Sequence, residues 1–436
     1  MSRRPTSNAS RGPSARAVAL EAIRRVIDEG AYSNLLIASL LGRSGLDRRD
    51  RAFASELAYG TLRRLVPLDL AIEQRANRPV ERMSPGARHV LRLGAYQLLY
   101  TAVPHHAAVS ESVSLVDPRE RGFVNAVLRR VADDPPAPAV GDTEEALSGR
   151  TGLSRWAIRE LRQLLGDEAE EAATALATRA RLCLRANTCV SSVAQLSERL
   201  QGAGFASEAA PLDPDCLLLD GGDPAAMPGF DDGAFAIQDQ ASAFVVRALD
   251  PLPGERILDV CAAPGGKALF AACLVGEEGT VVASDVHPGR VRLIAAEADR
   301  LRLHPRLLVQ DATAPAVRGT FDRILVDAPC SGVGAARRRP ELLWRVPKDD
   351  LSRLARRQVA IASAAVDLLA PGGRLVYSVC TFPRAETDAA CDALLRHRRD
   401  LRPVETPGAD GPAARHRLWP HRHGSDGMFV AAFERL

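Results

Sequence analysis

Two cysteines stand where an enzyme would keep reactive thiols. In FDRILVDAPCSGVG a short apolar run, Ile324 to Val326, ends in Asp327, and Pro329 and Cys330 break the pattern before a string of small residues. In GRLVYSVCTF a second apolar run ends in Cys380. If the two runs are neighbouring strands of a parallel sheet, their carboxyl ends share one edge, where α/β enzymes bind ligands. Both thiols can then face one cleft. A lone cysteine at a strand end is as readily a small packed residue. A pair asks for chemistry in which one thiolate attacks and a second group helps to undo the bond.

A cofactor pocket precedes them. ILDVCAAPGGKALF, Ile257 to Phe270, reads as strand, tight loop and helix, with Pro264, Gly265 and Gly266 in the turn. Glycines let a ligand approach the backbone closely, and a helix N-terminus offers free N–H groups to an anion. The stretch is neither the G-x-G-x-x-G of dinucleotide sites nor a phosphate-binding P-loop. A nucleotide-like ligand with less charge, carrying a carboxylate, fits it. The next strand ends in Asp285, where an acid accepts hydrogen bonds from ribose hydroxyls. The third ends in Gln310 and Asp311, where a carboxylate can accept from the exocyclic amine of adenine. Either acid alone is as readily a helix cap or turn residue. Ordered behind a glycine loop, they describe a site for an adenosine with an amino-acid tail, S-adenosylmethionine.

A methyl donor beside two thiols suits carbon 5 of a cytosine. That carbon is too weak a nucleophile to take a methyl group directly. A thiolate adding to carbon 6 moves electron density to carbon 5, and the covalent adduct splits one hard step into two easier ones. A free thiol has a pKa of about 8.5 and needs positive potential to ionise, which Lys267 or a loop arginine can supply. Asp327 is placed to meet the pyrimidine edge and steady the adduct. A base must then take the carbon 5 proton, and a second cysteine is a credible participant in that release. Arg337, Arg338, Arg339 and Arg345 follow Cys330 and are candidates to hold the phosphates of a substrate strand, against the alternative of a solvated charge run. A target base inside a folded RNA must be flipped out or presented single-stranded.

The elements that position these residues can be read from periodicity. From residue 236 onward strands alternate with helices: strands at RILDVC, TVVASDV, RLLVQD, FDRILVD, GRLVYSVC and GMFVAAFERL, helices at 240–249, 266–275, 288–301, 350–369 and 384–398. That alternation predicts a mostly parallel sheet covered on both faces. Residues 15–132 carry only helical periods, such as Ala19, Ala22, Ile23, Val26 and Ile27, and predict an all-α bundle. Residues 1–14 read as a disordered basic tail, 133–142 as a Pro-rich linker, and 143–235 as a helical plus small α+β module.

Composition sets limits. At 436 residues, 46% apolar and 25% charged, the chain is an ordinary globular protein of two or three domains. No apolar run approaches the roughly 18 residues of a membrane span, and the N-terminus lacks the apolar stretch of a secretory signal. A cytoplasmic monomer is expected. Its eight cysteines form no C-x-x-C pair and no zinc spacing, so no metal is expected and the thiols should be free. His421 and His423 read as surface residues. Net charge is only +3, and Lys267 and Lys348 are the only lysines.

The motifs resemble a known family, the RNA cytosine-5 methyltransferases of the Nop/Sun type. LDVCAAPGGK, DAPCSGVGAARRRPELLWR and YSVCT look like its cofactor, proline–cysteine and second-cysteine motifs, and IQDQAS resembles its entry to the catalytic domain. The resemblance implies an α/β Rossmann-like class I methyltransferase domain over 236–436. It makes Cys380 the nucleophile, Cys330 the thiol of product release and Asp327 the base or adduct stabiliser. Cofactor contacts are implied for Cys261, Ala262, Ala263, Pro264, Gly265, Gly266, Lys267, Asp285, Asp311 and Asp327. The sequence departs from the family at Val379, where Thr is common, and in the run Phe382-Pro383-Arg384-Ala385-Glu386, where a Pro-Glu-Glu-Asn-like run is common, although Cys380 and Glu386 themselves align. ARAVALEAI, AYGTLRR, GAYQLLY and FVNAVLRR resemble a NusB-like RNA-binding bundle, a fusion similar to the bacterial Sun-type enzymes of small-subunit ribosomal RNA. Transfer RNA as substrate, or a catalytically silent ribosome-assembly factor, are the alternatives. A small-molecule methyltransferase would need neither the arginine loop nor two extra domains.

Overall fold

The computed structural model describes residues 13–137 and 139–436. The basic tail predicted for residues 1–14 lies, as far as residue 12, outside the described residues. Contacts divide the chain into two units. One takes in the chain to Arg162 together with Arg338–Arg345, and the other Gln163–Arg337 with Val346–Leu436.

The first unit is helical throughout: α1 (Ala15–Asp28), α2 (Ser33–Arg43), α3 (Arg48–Arg63), α4 (Leu65–Ala76), α5 (Pro85–Tyr100), α6 (His105–Ser114), α7 (Arg121–Asp133), α8 (Glu144–Thr151) and α9 (Arg155–Leu165), whose last turn passes the boundary. Local chemistry starts the helices. The Ser84 hydroxyl accepts from Ala87 N with Pro85 at the first position of α5, a cap worth about 1 kcal/mol. Each helix turns an apolar face inward, and Ile23, Val26, Leu57, Leu62, Leu91, Val127, Leu128 and Val131 are fully buried. The unit runs further than the expected bundle. Arg150 donates to Ala139 O and Gly141 O, and Arg162 pairs with Asp142, so residues 139–142 are folded onto α8 and α9. The contact boundary after Arg162 falls inside the helical part of the segment 143–235.

The second unit opens with α10 (Ala169–Leu176), shorter than the helix predicted around 167–180. A small antiparallel sheet follows, β1 (Leu182–Ala186), β2 (Glu208–Ala209), β3 (Cys216–Leu219) and β4 (Phe235–Ile237), in the order β2-β3-β1-β4 with α11 (Val193–Gly202) inserted. Then come α12 (Gln240–Leu249), β5 (Arg256–Asp259), α13 (Gly266–Val275), β6 (Thr280–Asp285), α14 (Pro288–Leu301), β7 (Arg306–Val309), β8 (Phe321–Asp327), α15 (Asp350–Val366), β9 (Leu369–Val379), α16 (Asp388–His397), β10 (Leu401–Pro403), β11 (Arg415–Leu418), α17 (Pro420–His423) and β12 (Met428–Arg435).

The large sheet has the order β10-β12-β9-β8-β5-β6-β7, with β11 also paired to β12. Strands β7, β6, β5, β8 and β9 are parallel, and β12 runs against β9. Alternate residues feed two cores. Ile257, Leu325 and Val376 pack with α12 and α13, while Leu258, Ile324, Val326, Leu375 and Tyr377 pack with α15 and α16. The predicted strands and helices are all present. β10 and β11 were not foreseen: LRP and RHRL lack an apolar run, and they are strands because β12 offers each a ladder.

Two side-chain expectations fail. Cys189, in the turn after β1, and Cys273, on α13, are joined as a disulfide with Cα atoms 6.0 Å apart. Asn187, two residues before Cys189, is fixed by donating to Gly233 O and Leu301 O. His421 and His423 are not on the surface: His421 Nε2 lies 3.1 Å from Glu168 and His423 Nδ1 accepts from Trp419 N, because α17 packs back on the unit.

Candidate active site

The strand order reverses between β5 and β8, whose ends carry Asp259 and Asp327. In open α/β sheets that crevice is where ligands bind. β9 pairs with β8 so that Ser378 stands opposite Asp327. The side chains meet: Ser378 Oγ donates to Asp327 Oδ1 at 2.7 Å, and Lys267 Nζ, from the first turn of α13, donates to Oδ2 at 2.7 Å.

One step beyond these ends lie the cysteines. Cys330 Sγ and Cys380 Sγ are 3.5 Å apart; neither is in a disulfide, and both residues are half-buried. Cys380 continues a strand paired on both sides, with Val379 opposite Phe429 of β12. Cys330 sits on the loop after β8. Gly332 there has φ 74°, a left-handed conformation that favours glycine. Gly334 N donates to Cys380 O at 3.1 Å, and a Cβ at Gly334 would stand 2.1 Å from Gly427 O. The small residues after Cys330 thus let its loop close against the end of β9.

A buried polar cluster lies behind the thiols. The Glu386 carboxylate, fully buried, accepts from Ser331 N at 2.9 Å, Ser331 Oγ at 2.5 Å and Gln358 Nε2 at 2.9 Å. Gln358 Nε2 also donates to Pro329 O at 3.0 Å, and Ser331 Oγ is 2.7 Å from Thr381 Oγ1. Sequence reasoning assigned no role to Ser331, Gln358 or Ser378, and noticed Glu386 only as an aligned position. Their signal, single polar residues within apolar surroundings, shows itself only when their burial is known.

The electrostatics separate the thiols. Cys330 is held well above the ordinary thiol range, first by its hydrogen bond with Cys380, then by burial and by the charges of Cys380, Glu386 and Asp327. Two thiolates this close cannot both ionise. Burial pulls the Lys267 ammonium down, but the charge and hydrogen bond of Asp327 outweigh it, with Cys380 and Asp259 adding to the rise. Burial, then the Asp327 charge, pushes Asp259 up to about 7.

The cofactor residues gather on the other side of Asp259. Gly265 caps α13 without a side-chain bond, leaving the first N–H groups of the helix to a ligand. Ala262 N donates to Ser284 O, seating the loop Cys261–Lys267 on β6. Asp285, buried at the end of β6, accepts from His287 N and pairs with Arg290, which also donates to Ala263 O at 2.6 Å. Arg290 escaped the sequence reading, although it bridges two predicted cofactor segments. Asp311 is exposed just past β7 and is held below the usual carboxylate range by the N–H and hydroxyl of Thr313. The donor set suits S-adenosylmethionine. Asp259 Oδ2, at the reversal of strand order, is buried without a hydrogen-bond partner, which suits the ammonium group of such a ligand.

The arginine run is turned inward. Arg337 donates to Gly424 O and Ser425 O. Arg339 lies over the Tyr32 ring and 3.6 Å from Glu341, and Arg345 donates to Gly30 O, Ala31 O and Val26 O. Arg338 is half-buried and also engaged. Glu341, fully buried, accepts from Ser33 N and Ser33 Oγ, and Trp344 Nε1 donates to Leu62 O, so Arg338–Arg345 is a folded part of the helical unit. The expected phosphate-binding role for these arginines has no exposed guanidinium cluster to support it. Among the described residues no group of three or more His, Cys, Asp or Glu could hold a metal ion, and no helix is long and apolar enough to cross a membrane.

A doubly wound sheet ending in antiparallel strands, with its reversal lined by acids and a glycine turn, is the architecture of a Rossmann-like methyltransferase domain. Comparison with known proteins narrows that class. Residues 246–434 match the model of 16S rRNA methyltransferase RsmB/F, residues 13–133 that of the NusB family, and residues 153–225 that of an RsmF/B-like ferredoxin-like domain. The chain is 38% identical to the putative methyltransferase MT1451 of Mycobacterium tuberculosis, with 98% of this chain and 99% of that protein covered. It is 34% identical to the probable ribosomal RNA small subunit methyltransferase B of Bacillus subtilis, with 97% and 99% covered. The crystal structure of PH0851 superposes with a TM-score of 0.82 at 25% identity, covering 98% of this chain and 99% of that one. The chain belongs to the RsmB/F methyltransferase family, with a NusB-like helical domain ahead of its catalytic domain.

Proposed function

We propose that the protein uses S-adenosylmethionine to methylate carbon 5 of a cytosine in small-subunit (16S) ribosomal RNA, through a covalent bond between Cys380 and carbon 6. The observation that carries the reading is the Cys330–Cys380 pair, 3.5 Å apart beside the Lys267–Asp327 ion pair. Asp259, Asp285, Asp311 and the loop Cys261–Lys267 would hold the cofactor. When bound, it supplies the electrophilic methyl group that carbon 5 accepts.

The protein's own residues then act in order. Cys380, as thiolate, adds to carbon 6, and the double-bond electron pair moves to carbon 5. Cys330 donates its S–H hydrogen bond to the attacking sulfur, and Lys267 supplies positive potential. Asp327, its oxygens already oriented by Ser378 and Lys267, retains lone pairs for the amino edge of the base. Once Cys380 is spent in a thioether, the chief cause of the raised Cys330 pKa is gone. Cys330 can then give its own proton to solvent and, as thiolate, take the carbon 5 proton; the C–H pair re-forms the double bond and Cys380 leaves as thiolate.

The names of the relatives, ribosomal RNA small subunit methyltransferase B, support the choice of RNA. Action as a cytoplasmic monomer is part of the same reading. The test is to incubate the protein with methyl-labelled S-adenosylmethionine and unmodified small-subunit RNA or transfer RNA, then map any 5-methylcytosine. Label in small-subunit RNA is expected. Label only in transfer RNA, or none, overturns the proposal.

A further inference from the structure

We infer that Glu386 is a positioning residue for product release: its buried carboxylate fixes the backbone on both sides of Cys330 and so holds the releasing thiol against the attacking one. The inference rests on the proposed roles of the two cysteines and goes beyond them.

The two thiols reach the same place by different means. Cys380 needs no help from Glu386, because it continues β9, which is hydrogen-bonded to β8 and β12. Cys330 lies three residues past the last residue of β8 and has no ladder of its own. Its neighbours carry the load. Ser331, on one side, gives both its N–H and its hydroxyl to Glu386. Pro329, on the other, offers its carbonyl to Gln358, whose amide also donates to Glu386 Oε1. Tyr377 Oη approaches Glu386 O at 2.7 Å and Gln358 Oε1 at 3.0 Å, which orients the amide. The struts on the two residues flanking Cys330 therefore meet at one carboxylate, which lies six residues after Cys380 in the chain.

A buried carboxylate costs several kcal/mol unless its lone pairs are satisfied. Burial does raise the Glu386 pKa, against the lowering effect of the Ser331 and Gln358 hydrogen bonds. An apolar residue would pack the same space without that cost. What it could not do is grip Ser331 and Gln358 together. Removing the carboxylate frees the Cys330 loop and leaves Cys380 in place, so attack proceeds and release falters.

The test measures the two halves of the reaction separately in the full-length protein with small-subunit RNA. Denaturation-resistant protein–RNA adduct reports attack, and methylated RNA freed from protein reports release. Glu386→Ala is expected to form adduct at close to the wild-type rate and to release product at least tenfold more slowly. Glu386→Gln, which can still accept from Ser331 N and engage Ser331 Oγ, should recover most of the release rate. Ser331→Ala keeps the N–H bond and loses the hydroxyl bonds; it should show the same imbalance at smaller size, and it carries the test if Glu386→Ala does not fold. Equal loss of adduct and release, or wild-type turnover in both Glu386→Ala and Ser331→Ala, overturns the inference. Failure of the underlying assignment looks different, since Cys330→Ala would then trap no adduct.

Discussion

Cys380 and Cys330 share one cleft but are built into it on different principles. Cys380 is carried by a strand whose backbone is paired on both sides, so its position follows from the sheet. Cys330 is carried by a loop whose position follows from buried side chains, Glu386, Gln358 and Ser331, and from the close approach of Gly334 to Cys380 O. In the proposed mechanism the attacking group thus sits on a strand paired on both sides, whereas the releasing group is set in place by buried side chains. Functional groups held on sheet elements are placed more reliably than those on loops, and loops need a supporting shell.

The sharpest test of this contrast is the pair of alanine variants. Cys380→Ala should reduce methyl transfer by about 10³-fold or more, in the range seen when a nucleophile is deleted, and form no adduct. Cys330→Ala should also fail to turn over, yet accumulate an adduct visible as a slowly migrating band under denaturing electrophoresis. If Cys380→Ala traps the adduct, the two roles are exchanged. Next in size is Lys267→Met, on the Cys380 side. It removes the charge that neighbours the attacking thiol and should slow adduct formation by about 10- to 100-fold without adduct build-up. It also strips Asp327 of its charged partner, and breaking this part-buried pair should cost up to about 3 kcal/mol, readable as a lower urea midpoint.

The smallest effect on the two thiols is expected from the cofactor side, where the change is in stability. The Asp259 pKa is pushed up to about 7, so the folded state binds the proton more tightly than the unfolded chain. Its contribution to stability is complete below pH 3.8, the ordinary value, and is lost as pH rises through about 7. Asp259→Asn should flatten that stretch of the stability–pH curve and stabilise the ligand-free protein at pH 8 by up to about 4 kcal/mol. An unchanged slope between pH 4 and 7 would mean that another group sets it. The ratio of adduct to released product should stay at the wild-type value.

Much of this was legible in the chain. The catalytic strands and helices follow from alternation and periodicity, and boundaries such as Gln240–Leu249, Gly266–Val275 and Pro288–Leu301 agree to the residue. Strand ends locate Asp285, Asp327 and Cys380, because an apolar run that stops at a polar residue reports where the sheet ends. What stayed hidden depended on partners distant in sequence. Arg337, Arg339 and Arg345 read as a phosphate-binding run because charge is visible in sequence and its neighbours are not. Their carbonyl and aromatic partners lie at Gly424, Tyr32 and Val26. The Cys189–Cys273 disulfide was missed for the same reason, with 84 residues between its halves.

By itself, then, the sequence determined the order of elements, the parallel sheet and the identity of the chemical groups at its edge. Those follow from local rules: side-chain period, glycine turns and the residues that end strands. Tertiary structure alone decided that two thiols approach to 3.5 Å, that Glu386 rather than solvent holds the Cys330 loop, and that Arg337, Arg339 and Arg345 find partners within the protein. Those are outcomes of which buried polar groups find one another. A hydrogen bond inside the protein is favourable only if its partner is already in place, and no local pattern records where that partner will be.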